Sequence, residues 1–259
     1  MNIIQENINN LTSLWQTVSE PYAAYRSRLH FDCALIKDSG WPNRLWFNKP
    51  LEDINPDQVR LHLMHMGIPL TVPLWGQNGD QTAFAKKAGL KLKSSQIGMS
   101  LPLSAQSFPE HQLTVRLVQN PQDAEVWSDR FKQAFGYHIH PKLLTDVKNT
   151  TVYLYDEGSV PVGTGILHKT NQIAGIHSIG VLPEMRRKGY AEKIMFHLLN
   201  EGIKLGSSLA TLQASDLGKG LYLKLGFTED FLIQSYLLDE APYRPIAHSN
   251  TGFIVRRSE

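Results

Sequence analysis

A chain of 259 residues is long enough for one large domain or two of ordinary size, either with a real hydrophobic core. Its 26 Lys and Arg against 24 Asp and Glu leave a net charge of +2, which argues against general nucleic-acid or membrane-surface binding, so any basic feature must be local. No apolar run approaches the roughly 18 residues of a spanning helix, the first basic residue is Arg26, so there is no charged signal-peptide opening, and the single Cys33 offers neither an internal disulfide nor a thiolate metal cluster. The expectation is a cytoplasmic protein with Cys33 as a small buried hydrophobe.

In chain order, "LHFDCALI", "NRLWFN" and "LTVPLW" read as strands, with a helix near "NPDQVRLHLMHM". The stretch "WPNRLWFN", Trp41 to Asn48, mixes aromatic and polar residues, as binding surfaces and sheet edges both do; core or edge packing is the reading adopted. "LSAQSFPEHQ", residues 103–112, is polar, proline-bearing and without periodicity, which makes it the linker and divides the chain into domains 1–110 and 111–259. After it, "LTVRLV" alternates as a strand does. Asn120 then caps a helix with Pro121 at its first position and Ala124, Trp127, Phe131 and Phe135 at spacings of three and four.

"HPKLLTDVKN" reads as a short second helix. "TTVYLYD", "GSVPVGTGILHKT" and "IAGIHSIGVL" are β-rich runs between turn residues, an antiparallel meander. A helix from about Tyr190 to Leu205 gathers Ala191, Ile194, Met195, Leu198 and Leu199 on one face, with Gly206 placed to end it. A strand at "LATLQA", a helix at "DLGKGLYLKLG" and a strand at "FLIQSYLL" complete the order, which predicts a mixed, α/β-layered sheet. The first half echoes this ending: "FAKKAGLKLKSSQIGMSLPL", from Phe84, lies over "LYLKLGFTEDFLIQSYLLDE", from Leu221, with Gly89 on Gly226 and Leu90 on Phe227. The first half is then either a diverged copy of the second or an unrelated unit.

One stretch carries chemistry. "VLPEMRRKGYAEKI", residues 181–194, sets Arg186, Arg187 and Lys188 in front of a helix whose N-terminus is already partially positive. Gly189 lets the backbone approach a ligand, the N–H groups entering the helix form an anion-binding concavity, and Arg suits bidentate phosphate contact, so a pyrophosphate is the natural occupant. The plain alternative is a solvated cationic turn.

This stretch resembles motif A of the GNAT superfamily of N-acetyltransferases: Val181-Leu182-Pro183 ends a strand, and Arg186-Arg187-Lys188-Gly189-Tyr190-Ala191 enters a helix. "SDLGKGLYLKLGF" resembles the family's last motif, matching it at Tyr222, Lys224, Gly226 and Phe227, with Ser215 and Gly218 at positions that the family gives to Asn and Ala. The resemblance covers roughly residues 114–240. It implies a mixed, mostly antiparallel GNAT-type α/β sheet flanked by helices, with the first half a degenerate GNAT-like domain if the internal echo holds.

The resemblance also implies an acetyl-CoA cleft where the strand ending at Val181 splays from "LATLQA", with the pyrophosphate on the N–H groups of about Arg187 to Ala191. Cofactor contacts would come from Ile179, Val181, Arg186, Arg187, Lys188, Gly189, Tyr190, Ala191, Ser215 and Gly218. An amine with pKa near 10 must lose a proton before attacking the thioester, and the departing thiolate, whose thiol titrates near 8.5, is helped by a proton donor. The family assigns the donor role to Tyr222 and oxyanion stabilisation, at the tetrahedral intermediate, to a backbone N–H near Val181. Tyr222 is otherwise a core aromatic. His177, placed by strand alternation on the face of Gly175, Ile179 and Val181, is either the base or a satisfied structural histidine. Some relatives have Glu at the position of Gly175. His138 and His140, two apart and without further ligands, do not predict a metal; with Tyr137 they follow the helix beside which relatives line the acceptor pocket. The expected partners are acetyl-CoA and an unidentified amine, with no nucleic acid or membrane, in a monomer or homodimer. The alternative is a CoA-binding regulatory module that does not turn over.

Overall fold

The computed structural model describes residues 2–66, 68–76, 80–103, 107–110 and 112–239. The helices among them are α1 (Ile3–Ser19), α2 (Pro56–His65), α3 (Asp80–Lys87), α4 (Pro121–Phe135), α5 (Tyr190–Lys204) and α6 (Asp216–Lys224). The strands are β1 (Tyr25–Ser27), β2 (Phe31–Ala34), β3 (Arg44–Phe47), β4 (Val72–Gly76), β5 (Leu90–Pro102), β6 (Thr114–Leu117), β7 (Thr150–Glu157), β8 (Val160–Thr170), β9 (Ile173–Val181), β10 (Leu209–Ala214) and β11 (Thr228–Leu238). Strands β1-β2-β3 form a small antiparallel sheet, and an eight-stranded sheet runs β4-β11-β5-β10-β9-β8-β7-β6 among the described residues. All its pairings are antiparallel except β9–β10.

The second half follows its local signals. Asn120 accepts from Asp123 N at 2.9 Å and Pro121 opens α4; Gly206, with φ 75, follows α5. The segment after α4 does not. Instead of a second helix there is one 3-10 turn, Pro141–Leu143, because Asp146 (φ 56) and Asn149 (φ 55) take left-handed conformations that end helical geometry. Helix α1 was not anticipated either. Its buried stripe holds Ile8, Leu11, Leu14, Trp15 and Val18 but also Asn7 and Asn10, two amides that break the apolar pattern.

The internal echo has a geometric counterpart. The ladder between β5 and β11 pairs Gln96 with Ile233, residues that the sequence alignment equates. Thr228–Ser100 on one side answers Leu237–Lys91 on the other, and each strand carries one extra, bulged residue, Lys93 and Asp230, which are also equivalent. A pseudo-two-fold axis therefore passes through this pair. The order meander-α-β-α-β occurs in both halves, β1-β2-β3-α2-β4-α3-β5 and β7-β8-β9-α5-β10-α6-β11. The eight-stranded sheet runs across residue 110 without interruption, because β5 lies between β10 and β11. Of the linker residues, 104–106 and 111 lie outside the described ones; Phe108 is held to α5 by Asn200, at 2.9 Å through its N–H and 3.1 Å through its carbonyl.

Candidate active site

Strands β9 and β10 pair only where Leu209–Thr211 run beside Ile173–Gly175. Beyond that point β10 stays with β5 and β9 with β8, so a wedge opens toward their carboxyl ends, the position where open α/β sheets take ligands. A cavity of about 180 Å³ fills it, lined by Ile176–Ile179 of β9, Leu212 and Gln213 of β10, and Ser215 and Tyr222 at α6. Its remaining wall is supplied largely by the first half: Trp15, Trp41, Arg44 and Gln96. These four carry no motif signature. Trp41 and Arg44 belong to the aromatic-polar stretch read above as packing, and the structure makes it both: Leu45, Trp46 and Phe47 are buried while Trp41 and Arg44 line the cavity.

The wedge is shaped by a β-bulge. His177 pairs with Ile166 and Gly180 with Thr164, so Ser178 and Ile179 together oppose Gly165, and Ser178 has φ 54. The bulge reverses the alternation. Ala174, Ile176, Ile179 and Val181 pack with α5, whereas His177 faces α1, as does Gly175. The expected shared face of His177 with Ile179 and Val181 is therefore corrected, since period-two facing does not survive an inserted residue.

On the α1 side, Asn10 Nδ2 donates to the His168 carbonyl at 3.0 Å and to Thr170 Oγ1 at 2.8 Å, which leaves its Oδ1 to accept from His177 Nε2 at 3.1 Å. One turn earlier, Asn7 Nδ2 donates to the Met99 carbonyl at 3.0 Å and its Oδ1 accepts from Gln213 Nε2 at 2.7 Å. The two asparagines stitch α1 to the splayed strands. A side chain at Gly175 would stand 1.7 Å from Asn10 Oδ1, so the space in which some relatives carry a Glu is taken here by α1. Burial, with His168 as a lesser cause, pushes the His177 imidazole down to about 3. The ring is neutral, but against an alkylammonium near 10 a base of that strength faces an uphill transfer of roughly 10 kcal/mol, so His177 does not suit the role of base.

Tyr222 reaches the cavity from α6, and among the described residues its hydroxyl has no hydrogen-bond partner; burial pushes the phenol up to about 12. Its ring lies over Gly218, where an added methyl would come within 2.8 Å of Cε2. Ser215 is the N-cap of α6 without a capping side-chain bond, leaving its hydroxyl on the cavity wall.

At the entrance to α5, Arg187 (φ 59) and Gly189 (φ 80) both adopt left-handed conformations, which curl successive N–H groups into a concave nest at the helix N-terminus. A Cβ at Gly189 would meet nothing within 4 Å; conformation, not space, calls for glycine there. Arg187 and Lys188 are exposed. Arg186 differs from expectation: its Nε donates to the Val181 carbonyl at 3.2 Å and its Nη2 to the Ala134 carbonyl at 2.9 Å, clamping β9 to α4. The Tyr190 side chain is buried with its hydroxyl on Glu157, so it and Ala191 can offer a ligand their backbone N–H groups. His138 Nδ1 meets Ser128 Oγ at 3.1 Å and His140 Nδ1 accepts from Lys142 N at 3.2 Å; Tyr137 alone of that segment lines the cavity. Cys33 is buried, which raises its thiol pKa. Among the described residues no helix is long and apolar enough to cross a membrane.

A parallel strand pair thus splays beside a glycine-entered helix, with a tyrosine facing the wedge. Residues 114–227 match the acetyltransferase (GNAT) family. Among solved structures, a GCN5-related N-acetyltransferase from Kribbella flavida superposes with a TM-score of 0.64 at 15% identity over 86% of this chain and 94% of that one. One from Sphaerobacter thermophilus gives 0.55 at 16% over 80% and 76%. A tandem GNAT protein from the clavulanic acid biosynthesis pathway gives 0.57 at 12% over 90% and 94%. At these identities the likeness is one of fold. No curated protein matches the chain significantly.

Proposed function

We propose that the protein transfers an acetyl group from acetyl-CoA to an amine, in the cavity between β9, β10, α6 and the first half. The observation carrying this reading is that Tyr222 lines the cavity beside β9, while the nest entering α5 follows directly on the carboxyl end of that same strand. The nest fits a pyrophosphate: its backbone is concave, Arg187 and Lys188 stand exposed beside it, and no side chain fills the space above Gly189. When bound, acetyl-CoA supplies the thioester whose acyl carbon the amine attacks.

The chain's own residues then have distinct tasks. Ile179 and Val181, at the edge of β9, offer apolar and backbone contacts to the cofactor's arm, and Ser215 and Gly218 line the side toward Tyr222. Arg186 acts by holding the end of β9. Tyr222, protonated at neutral pH, donates to the departing sulfur. His177 is a neutral spacer that keeps the wall rigid through Asn10, and the amine gives up its proton to solvent at the mouth of the cavity. The first half, residues 1–110, completes the acceptor wall.

Calorimetric titration of acetyl-CoA into wild type and Gly189→Asp, followed by thiol release with an amine panel, tests the reading. Binding lost in the variant and turnover lost in Tyr222→Phe support it. Binding without turnover on any amine would make the protein a CoA-binding module instead, and no wild-type binding would end both readings.

A further inference from the structure

Among the described residues, those lining the cavity include a single formal charge. Arg44, from β3, is the only Lys, Arg, Asp or Glu among them, and the lining histidine, His177, is neutral. Its guanidinium carbon lies 5.0 Å above the Trp15 ring, and Nη1 donates to the Pro42 carbonyl. Among the described residues no carboxylate pairs with it, and the Lys93 ammonium is near enough for its own pKa to be lowered by burial and by Arg44. Burial lowers the Arg44 pKa, and the largest opposing influence is only the neighbouring Tyr137 phenol. Arg44 is half-buried; a guanidinium partly withdrawn from water without a counter-charge is unfavourable, and it remains charged because arginine does not deprotonate in proteins. A bound anion relieves that cost, and the planar fork of Arg matches a carboxylate in two parallel hydrogen bonds. Tyr137, also on the cavity wall, adds a hydroxyl beside it. Among the described residues the lining offers no Asp or Glu to the spare ammonium groups of a polyamine.

We propose that the acceptor is a small amine bearing a carboxylate, an α- or short ω-amino acid, held by its carboxylate on Arg44 with its amino group toward the wedge.

This rests on the acetyltransferase reading for the reaction but not for the binding, and the test separates the two. Thermal shift and calorimetry are run with the common α-amino acids, β-alanine and their carboxamides as probes, on wild type, Arg44→Gln and Arg44→Lys, with acetyl-CoA binding measured in parallel. Wild type is expected to bind at least one acid about tenfold or more tightly than its amide, the discrimination of one charge-assisted bidentate contact. That preference collapses in Arg44→Gln and is partly kept in Arg44→Lys, while acetyl-CoA binding is unchanged in both. If turnover is seen, the acid-to-amide ratio of kcat/KM follows the same pattern. Equal or better binding of amides by wild type overturns the proposal without any variant, as does acid preference that survives in Arg44→Gln. Acid binding without acetyl-CoA binding would leave the carboxylate site standing and sink the transferase reading.

Discussion

A phenol that titrates near 12 stays protonated across the physiological range, so Tyr222 is a standing donor rather than a switch. Tyr222→Phe keeps the ring and is expected to lower kcat about 100-fold or more with acetyl-CoA affinity unchanged, measured by thiol release and calorimetry. Gly218 adds a sharper test. Alanine there favours helix α6 by up to ~1 kcal/mol, but its methyl meets the Tyr222 ring at 2.8 Å. The expected outcome is an unchanged or raised Tm with a fallen kcat; equal kcat would mean that the ring has no positional demand. The cations divide in the same way. Arg187→Ala with Lys188→Ala should weaken acetyl-CoA binding in a salt-sensitive manner and leave Tm unaltered, whereas Arg186→Ala should lower Tm by releasing Val181 and Ala134.

At the scale of elements, α1 and the bulged β9 form one unit. Asn10→Ala removes an acceptor from His177 and a donor from two oxygens, and leaving such buried groups unpaired costs about 3 kcal/mol, readable by denaturant titration. The same layer sets a pH limit. His177 and His168 are held near 3 and near 4 by burial, while in the unfolded chain both titrate near 6.5. Above that value both are neutral in either state and stability is complete. As pH falls below 6.5 the unfolded chain takes up protons that the folded chain refuses, so stability declines by roughly 1.4 kcal/mol per pH unit for each group until the folded values are reached. Tm measured from pH 7 to 4 should fall accordingly, and His177→Asn should flatten the slope. The helices and strands of the second half were legible because caps, turns and periodicity are local. Helix α1 was not, since Asn7 and Asn10 look like surface residues until the strands they bond are in place.

For the whole molecule, the consequence is mutual dependence of the halves. Strand β5 fills the place between β10 and β11, and β11 the place between β5 and β4. Residues 111–259 produced alone would expose both edges of that gap together with apolar Met99 contacts, and should be insoluble or aggregated; supplying residues 1–110 in trans should restore a soluble complex, checked by gel filtration. A soluble, acetyl-CoA-binding fragment would show instead that β5 is dispensable.

The sequence by itself determined the ordered motifs, the glycine-entered helix, the position of Tyr222 and the internal echo, because each is written in residues close together along the chain. Only the tertiary structure decided what the site is made of. The bulge at Ser178 turned His177 toward α1, Arg186 turned back on two carbonyls, and Arg44, Trp41 and Gln96 arrived at the wedge from the other half. Those outcomes depend largely on contacts between segments far apart along the chain, 52 residues for Arg186 with Ala134 and 167 for His177 with Asn10, and local pattern holds no record of which polar group will meet which.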